Sequence, residues 1–190
     1  VHEVKVARQL SLSAESIVAM DRAFTDYALF ARWTEKRVWF VTRMKDNAKY
    51  RVVDQWPLPQ RANIRADQII RLTGVGARKK CPHFLRRIVV WDDENQREIV
   101  LLTNHLEFGP TTIAAIYKDR WQIELFFKAI KQNLKIKTFV GTTENALKIQ
   151  IWTALIAMLM IKICQFRAKR NWSLSNLVAL LRWNLFTYRD

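Results

Sequence analysis

Tyr117, Arg120, Glu124, Lys128, Lys131 and Lys135 form a series spaced three or four residues apart. Residues at those spacings share one face of a helix. The series therefore predicts a polar stripe carrying a phenol, one carboxylate and four cations. A carboxylate is a ligand for hard cations, and guanidinium and ammonium groups bind phosphate. Together they suit metal-dependent chemistry on a polyanion. A plainer alternative stays open: Glu124 stands four residues from both Arg120 and Lys128, the spacing of two solvated ion pairs worth roughly a few tenths of a kcal/mol each.

The element that must present this stripe is predicted to be one long helix over 117–131, which holds no Gly or Pro and many good helix formers. Ile116, Ile123, Phe127, Ile130 and Leu134 flank the stripe on one side, Trp121 and Leu125 on the other, and Phe126 closes the back. A helix apolar on nearly every face is expected to be buried, with its polar stripe lining a cleft. Gly109, Pro110 and Thr111 open it, with proline near the first turn. A second candidate for chemistry is Asp21. It ends the short apolar run 16–21, which reads as a buried strand, and ligands of open α/β sheets gather at strand carboxyl ends. Asp21 would equally serve as N-cap of a helix over 22–33.

The remaining elements follow from period and punctuation. Residues 1–10 read as a short helix, and 23–31 as part of another carrying Phe24, Tyr27 and Phe30. From Arg37 the period changes to two: 38–43 and 50–53 read as strands, and 84–91 with 98–103 as a hairpin. Pro57, Pro59, Gly74 and Gly76 mark loops. A very apolar helix is expected over 144–167 and an amphipathic one over 174–185. The apolar centre of the first, 149–161, is bracketed by Lys148 and Lys162 and contains Gln150 and Thr153. It reads as too short and polar to span a bilayer, hence a buried core helix and no membrane partner.

The totals agree. The chain has 190 residues, half of them hydrophobic, and a net charge of +15 with pI ≈ 10.3. That composition suits one or two globular domains and excludes a disordered chain. Its positive charge runs along the whole length, so nucleic acid is the leading partner, ahead of a membrane surface or of charge held for solubility alone. Cys81 and Cys164 lie far apart without metal-ligand spacing, which fits a reducing cytoplasm. No signal peptide opens the residues at hand.

At this point the residues resemble a family. Tyr117-x2-Arg120-x3-Glu124-x6-Lys131 matches the Y-R-E-K signature of bacterial insertion-sequence transposases of the DDE class, in the insertion-sequence-four type branch. Asp21-Arg22-Ala23-Phe24-x2-Tyr27 is similar to that family's stretch around its second catalytic aspartate, with Ala23 in place of the usual glycine. Leu102-Thr103-Asn104, 120–128, 130–137 and 141–152 look like its remaining blocks, so the resemblance covers essentially the whole chain.

The resemblance implies an α/β, ribonuclease-H-like fold (retroviral-integrase-like), incomplete at its N-terminus, with a β-rich insertion between the second Asp and the Glu. Residues 1–36 would be the N-terminal remnant of the core, 37–104 the insertion and 105–190 the helical C-terminal part. It implies DNA transposition by metal-dependent cleavage and strand transfer at transposon ends, with Asp21 and Glu124 as catalytic metal ligands for Mg²⁺ or Mn²⁺. Arg120 would contact phosphate near the transposon end, and Tyr117 and Lys131 the phosphate of the cleaved terminus. Lys128 and Lys135 would extend the DNA-binding row, and Trp39 or Trp56 would stack on a flipped base. The partners implied are transposon-end and target DNA, with a homodimer in the full-length synaptic complex. The family's first aspartate lies on a strand that would precede residue 1. A fragment without it is expected to be inactive alone; the alternative is a non-catalytic DNA-binding or dimerisation remnant.

Overall fold

The computed structural model describes residues 3–60, 63–133 and 143–184. They fold as two compact units, Val1–Trp121 and Gln122–Asp190.

The first unit opens with α1 (Glu3–Gln9) and β1 (Ile17–Met20), followed by a 3-10 turn, Arg22–Phe24, and α2 (Tyr27–Glu35). β2 (Trp39–Arg43), β3 (Tyr50–Gln55) and β4 (Ile64–Leu72) come next, then α3 (Val75–Lys80), β5 (Leu85–Asp92), β6 (Arg97–Thr103) and α4 (Pro110–Asp119). All six strands join one mixed sheet in the order β1-β2-β6-β5-β4-β3. β1 and β2 are parallel, Ile17 opposite Trp39 and Met20 opposite Thr42. Parallel neighbours need a crossover connection, and α2 supplies it. Every other neighbouring pair is antiparallel.

Strand alternation gives the sheet two apolar faces. One carries Met20, Phe40, Ile70, Leu72, Leu85 and Leu102, packed against Ala7 of α1, Leu29, Phe30 and Trp33 of α2, and Ala77 of α3. Phe30 and Phe40 stack at 4.0 Å between ring centroids, both wholly buried. The other face carries Val41, Ile64, Ile88, Val90 and Leu101 under Ile113 and Tyr117 of α4. The unit is thus a sheet covered by helices on both sides.

Two polar devices tie it together. Asn104, just past β6, accepts from the Phe40 backbone N–H at 2.8 Å and donates to the Val38 carbonyl at 2.9 Å and the Thr34 hydroxyl at 3.0 Å. It thereby fastens α2 and β2 to the end of β6. Arg86 on β5 is fully buried beside an equally buried Asp67 on β4, joined by a bidentate pair at 2.7 and 2.6 Å. The same guanidinium donates to the Phe108 carbonyl at 2.5 Å and lies over the Trp56 ring, 4.4 Å from its centroid. Arg86 therefore holds the segment that leads into α4.

The second unit contains nearly all of α5 (Trp121–Asn133), with α6 (Glu144–Arg167) and α7 (Leu174–Asn184). Its buried cluster is small: Ile130, Ala154 and Met158, with Ala129, Leu155 and Leu174 against them. Thr143 caps α6 by accepting from the Ala146 N–H at 3.2 Å.

Several expectations change here. The helix expected over 117–131 is broken at Arg120, so Tyr117 and Glu124 sit on different helices, and no shared stripe follows from their spacing. The Arg120 backbone N–H closes a tight turn on the Tyr117 carbonyl, and its guanidinium lies near the rings of Tyr117 and Trp121, at 5.5 and 5.1 Å. No breaker residue marks this point, which is why sequence missed it. α5 is not buried on its apolar faces: Trp121, Ile123, Leu125 and Phe127 are about half exposed. The helix around 149–161 is no core helix either. It runs 24 residues, buries Ala154 and Met158, and exposes Trp152, Ile156, Leu159 and Phe166. Among the described residues of the unit, α5 and α7 cover only its Ala154–Met158 side. By length and composition alone α6 would cross a membrane, as the core helices of many soluble proteins also would. The helix read over 23–31 starts later, because Asp26 caps α2 through the Ala28 N–H. Gly76 lies inside α3 rather than in a loop, and β4 carries no clean alternation that would have announced it.

Candidate active site

Asp21 follows Met20 at the carboxyl end of β1, so both roles read for it are realised in part. Its Oδ1 accepts from the Ala23 N–H at 2.9 Å and caps the 3-10 turn, while the cap of α2 is Asp26. Asp21 opens on a shallow pocket of about 430 Å³ lined by Asp21, Arg22, Ala23, Lys45, Asp46 and Asn47. Arg22 pairs with Asp46 across it at 2.9 Å.

Alternation along β1 puts Asp21 on the sheet face that α4 covers, and the β1–β2 register places Arg43 beside it. Tyr117 lies buried on α4 at this corner. Burial pushes its phenol above the ordinary value, the nearby Asp21 carboxylate adds to the rise, and Arg120 and Arg43 oppose it. Asp21, Arg43 and Arg120 are thus each within electrostatic reach of the Tyr117 phenol inside the first unit. A phenol approached by one carboxylate and two guanidinium groups forms a place where an anionic oxygen could be held beside a hard ligand for a cation.

Glu124 lies in the second unit, exposed in the first turn of α5, where a carboxylate is favoured by the helix dipole. Lys128 and Lys131 are exposed further along the same helix. Lys135 falls outside the described residues. Trp39 is engaged with His105, 4.9 Å between ring centroids, and its indole N–H reaches Glu15 at 3.3 Å. Trp56 holds Arg86 against its ring. Among the described residues, no group of three His, Cys, Asp or Glu side chains stands close enough to hold a metal ion. Sequence reading missed Arg43, whose only signal was its place one residue past the match of Thr42 with the end of β1.

The family model for the transposase DDE domain matches residues 1–160. The chain belongs to this family. As a DDE transposase domain it resembles a putative transposase, y4zB, of Sinorhizobium fredii (strain NBRC 101917 / NGR234), 34% identical over 167 residues, covering 86% of this chain and 46% of the relative. A probable transposase for insertion sequence element IS5377 of Geobacillus stearothermophilus is 31% identical over 175 residues, covering 92% of this chain and 46% of its own. A putative transposase for insertion sequence element IS4SA of Synechocystis sp. (strain ATCC 27184 / PCC 6803 / Kazusa) is 32% identical over 157 residues, with 77% and 40% covered. The chain thus spans about half the length of the curated relatives it matches. The mixed sheet with helices on both faces is consistent with the ribonuclease-H-like α/β fold that a DDE transposase domain implies.

Proposed function

We propose that this chain serves DNA transposition as part of an insertion-sequence transposase that cleaves and joins DNA at transposon ends. The observation that carries the reading is Asp21 at the carboxyl end of β1, within electrostatic reach of the buried Tyr117 that Arg43 and Arg120 also approach, in a chain of the DDE family. In this reading Asp21 and Glu124 are metal ligands. Asp21 fits that role in part: it offers a hard carboxylate at an open pocket, while one of its oxygens is committed to the turn. A divalent cation there, Mg²⁺ or Mn²⁺, would activate the attacking oxygen and steady the leaving one. Arg120 and Tyr117 hold a phosphate next to Asp21. Lys128, Lys131 and Lys135 contact the DNA backbone as a sequence-independent row. Residues 1–36 and 105–190 belong to a ribonuclease-H-like core of the insertion-sequence-four type, with 37–104 as its β-rich insertion. The chain works on DNA in the cytoplasm, as a homodimer when the rest of the catalytic domain is present.

The further reading is that the chain lacks the family's first catalytic aspartate and is inactive alone. In that state it acts as a DNA-binding or dimerisation remnant. The purified chain is then expected to bind plasmid DNA and to leave it supercoiled with either metal. Metal-dependent nicking lost on Glu124→Ala would overturn the inactive-fragment reading and keep the catalytic one. A chain that neither nicks nor binds DNA would sink both.

A further inference from the structure

The corner of the sheet farthest from Asp21 carries an arrangement that folding alone does not favour. Arg51 on β3 and Arg71 on β4 stand directly opposite each other across the antiparallel pair. Ile70 and Leu72 point into the core beneath α2 and α3, so both arginines lie on the other face. Directly opposed like charges destabilise a strand pair. Arg71 leans over Phe84, 5.5 Å from its ring centroid, and Phe84 is itself about half exposed. Arg71 Nε is buried without a hydrogen-bond partner. The nearest carboxylate by register on this face is Asp54, which accepts from the Gln55 backbone N–H at 2.8 Å.

The surroundings add charge of the same sign. The Thr73 N–H bonds the Lys49 carbonyl at 2.9 Å, which brings Lys49 against the segment that enters α3. α3, which packs on the opposite face of the sheet, carries Arg78, Lys79 and Lys80, all exposed. Among the described residues none of Lys49, Arg51, Arg71, Arg78, Lys79 and Lys80 pairs with a carboxylate. The sheet order sets β3 five strand spacings from β1, about 24 Å away. Strand directions also put Arg51 at the end opposite Asp21.

We infer that this Lys49–Arg51–Arg71 corner is a second phosphate-binding surface for duplex DNA, separate from the Asp21 site. It rests on the reading that DNA is the partner of the chain. Opposed guanidinium groups cost the free protein stability and gain it back when a phosphate lies between them, where each can donate two parallel hydrogen bonds. The Phe84 ring gives the Arg71 guanidinium a cation–π neighbour. The contact is to backbone and carries no base preference.

The test uses the 190-residue chain and a short fluorescent duplex, with anisotropy read over a series of KCl concentrations. Arg51→Thr with Arg71→Thr removes the like-charge pair and inserts good strand formers. It is expected to melt at the same or a higher temperature, to bind the duplex roughly tenfold or more weakly at low salt, and to lower the log–log salt slope by about two. Arg51→Lys with Arg71→Lys should keep the slope. A folded threonine variant with the wild-type slope overturns the inference, as does tighter binding of double-stranded RNA than of DNA. Should the threonine pair fail to fold, Lys49→Gln with Arg51→Gln decides, since an unchanged slope there also overturns it. Wild-type protein that binds no duplex at all removes the DNA reading itself, whereas wild-type binding untouched by these variants removes this corner alone.

Discussion

The two units of the chain solve the burial problem with unequal success. The first closes a six-stranded sheet under helices on both faces, and Phe30, Phe40, Leu85 and Leu101 are almost wholly hidden. Buried charge there is paired, as Arg86 is with Asp67. The second has three helices around Ile130, Ala154 and Met158, and leaves Trp152, Leu159, Met160, Phe166 and Trp183 mostly in water. The contrast teaches that apolar content does not make a core. α6 is very apolar, yet its apolar residues point all round, and the described residues of its unit bury only Ala154 and Met158 on it. A sheet gathers apolar residues onto faces; a lone apolar helix needs neighbours supplied from elsewhere.

The sharpest way to break this comparison is to delete matter from each unit. Phe40→Ala, in the stacked pair with Phe30, is expected to cost about 3–5 kcal/mol in urea unfolding. Leu159→Ala on α6 should change stability by under about 0.5 kcal/mol. Equal losses would mean that α6 is buried in solution and that the contrast is false. A loss of similar size, about 3–5 kcal/mol, is expected for Asp67→Ala, because it strands a buried guanidinium. Arg86 and Asp67 replaced together by Met and Leu should recover much of it, and no recovery would show that the pair does more than fill space.

The exposed side of the comparison predicts association. Large apolar patches favour contact between molecules, so the wild-type chain should run above its monomer mass of 22.5 kDa in light scattering. Trp152→Ser with Phe166→Ser should shift the distribution toward monomer without lowering the melting temperature of the first unit. A wild-type chain that is already monomeric would contradict the argument.

The smallest effect concerns His105, stacked on Phe108 with 3.9 Å between ring centroids. Its Nδ1 accepts from the Glu107 and Phe108 N–H groups at 3.3 and 3.2 Å. Burial, with a contribution from Arg86, holds the imidazole below its ordinary value of 6.5 despite the acids Glu107 and Glu15. A depressed folded-state value means that the unfolded chain binds the proton more tightly. Its stabilisation is therefore present above about pH 6.5 and is lost as pH falls through the lower folded value. His105→Gln should flatten the urea midpoint against pH in that interval, and an equal slope in both proteins would show that the imidazole is uninvolved.

How far these features could be read beforehand depends on the range of the physics behind them. β2, β5, β6 and the 24 residues of α6 were legible because alternation, β-branching and an unbroken apolar run are local signals. β4 was not, since Asp67, Gln68 and Arg71 interrupt its apolar residues for reasons that exist only in three dimensions: Asp67 awaits Arg86, and Arg71 faces outward. Asp21 was legible as a strand-end carboxylate. Its neighbour Arg43 was not, because parallel register cannot be read from one strand. The break at Arg120 was hidden for a similar reason. Helix formers on both sides predict continuity, while the turn is held by contacts of the arginine with Tyr117 and Trp121.

The order of strands has a last consequence, in time rather than in space. β1 and β2 leave the ribosome early, but the partner that flanks β2 is β6, with Val41 meeting Thr103 about sixty residues later. At synthesis rates of about 5–20 residues per second, that interval lasts roughly 3–12 s. Through it β2 has β1 on one side and nothing on the other, and Asn104 has not yet arrived to fasten it. The local ladders β3–β4 and β5–β6 close first, and the long-range pairing that completes the sheet comes last. Pairing of the inner edge of β2 is thus set by the emergence of residues 99–104, so codons that slow translation before this point lengthen the life of an unpaired edge.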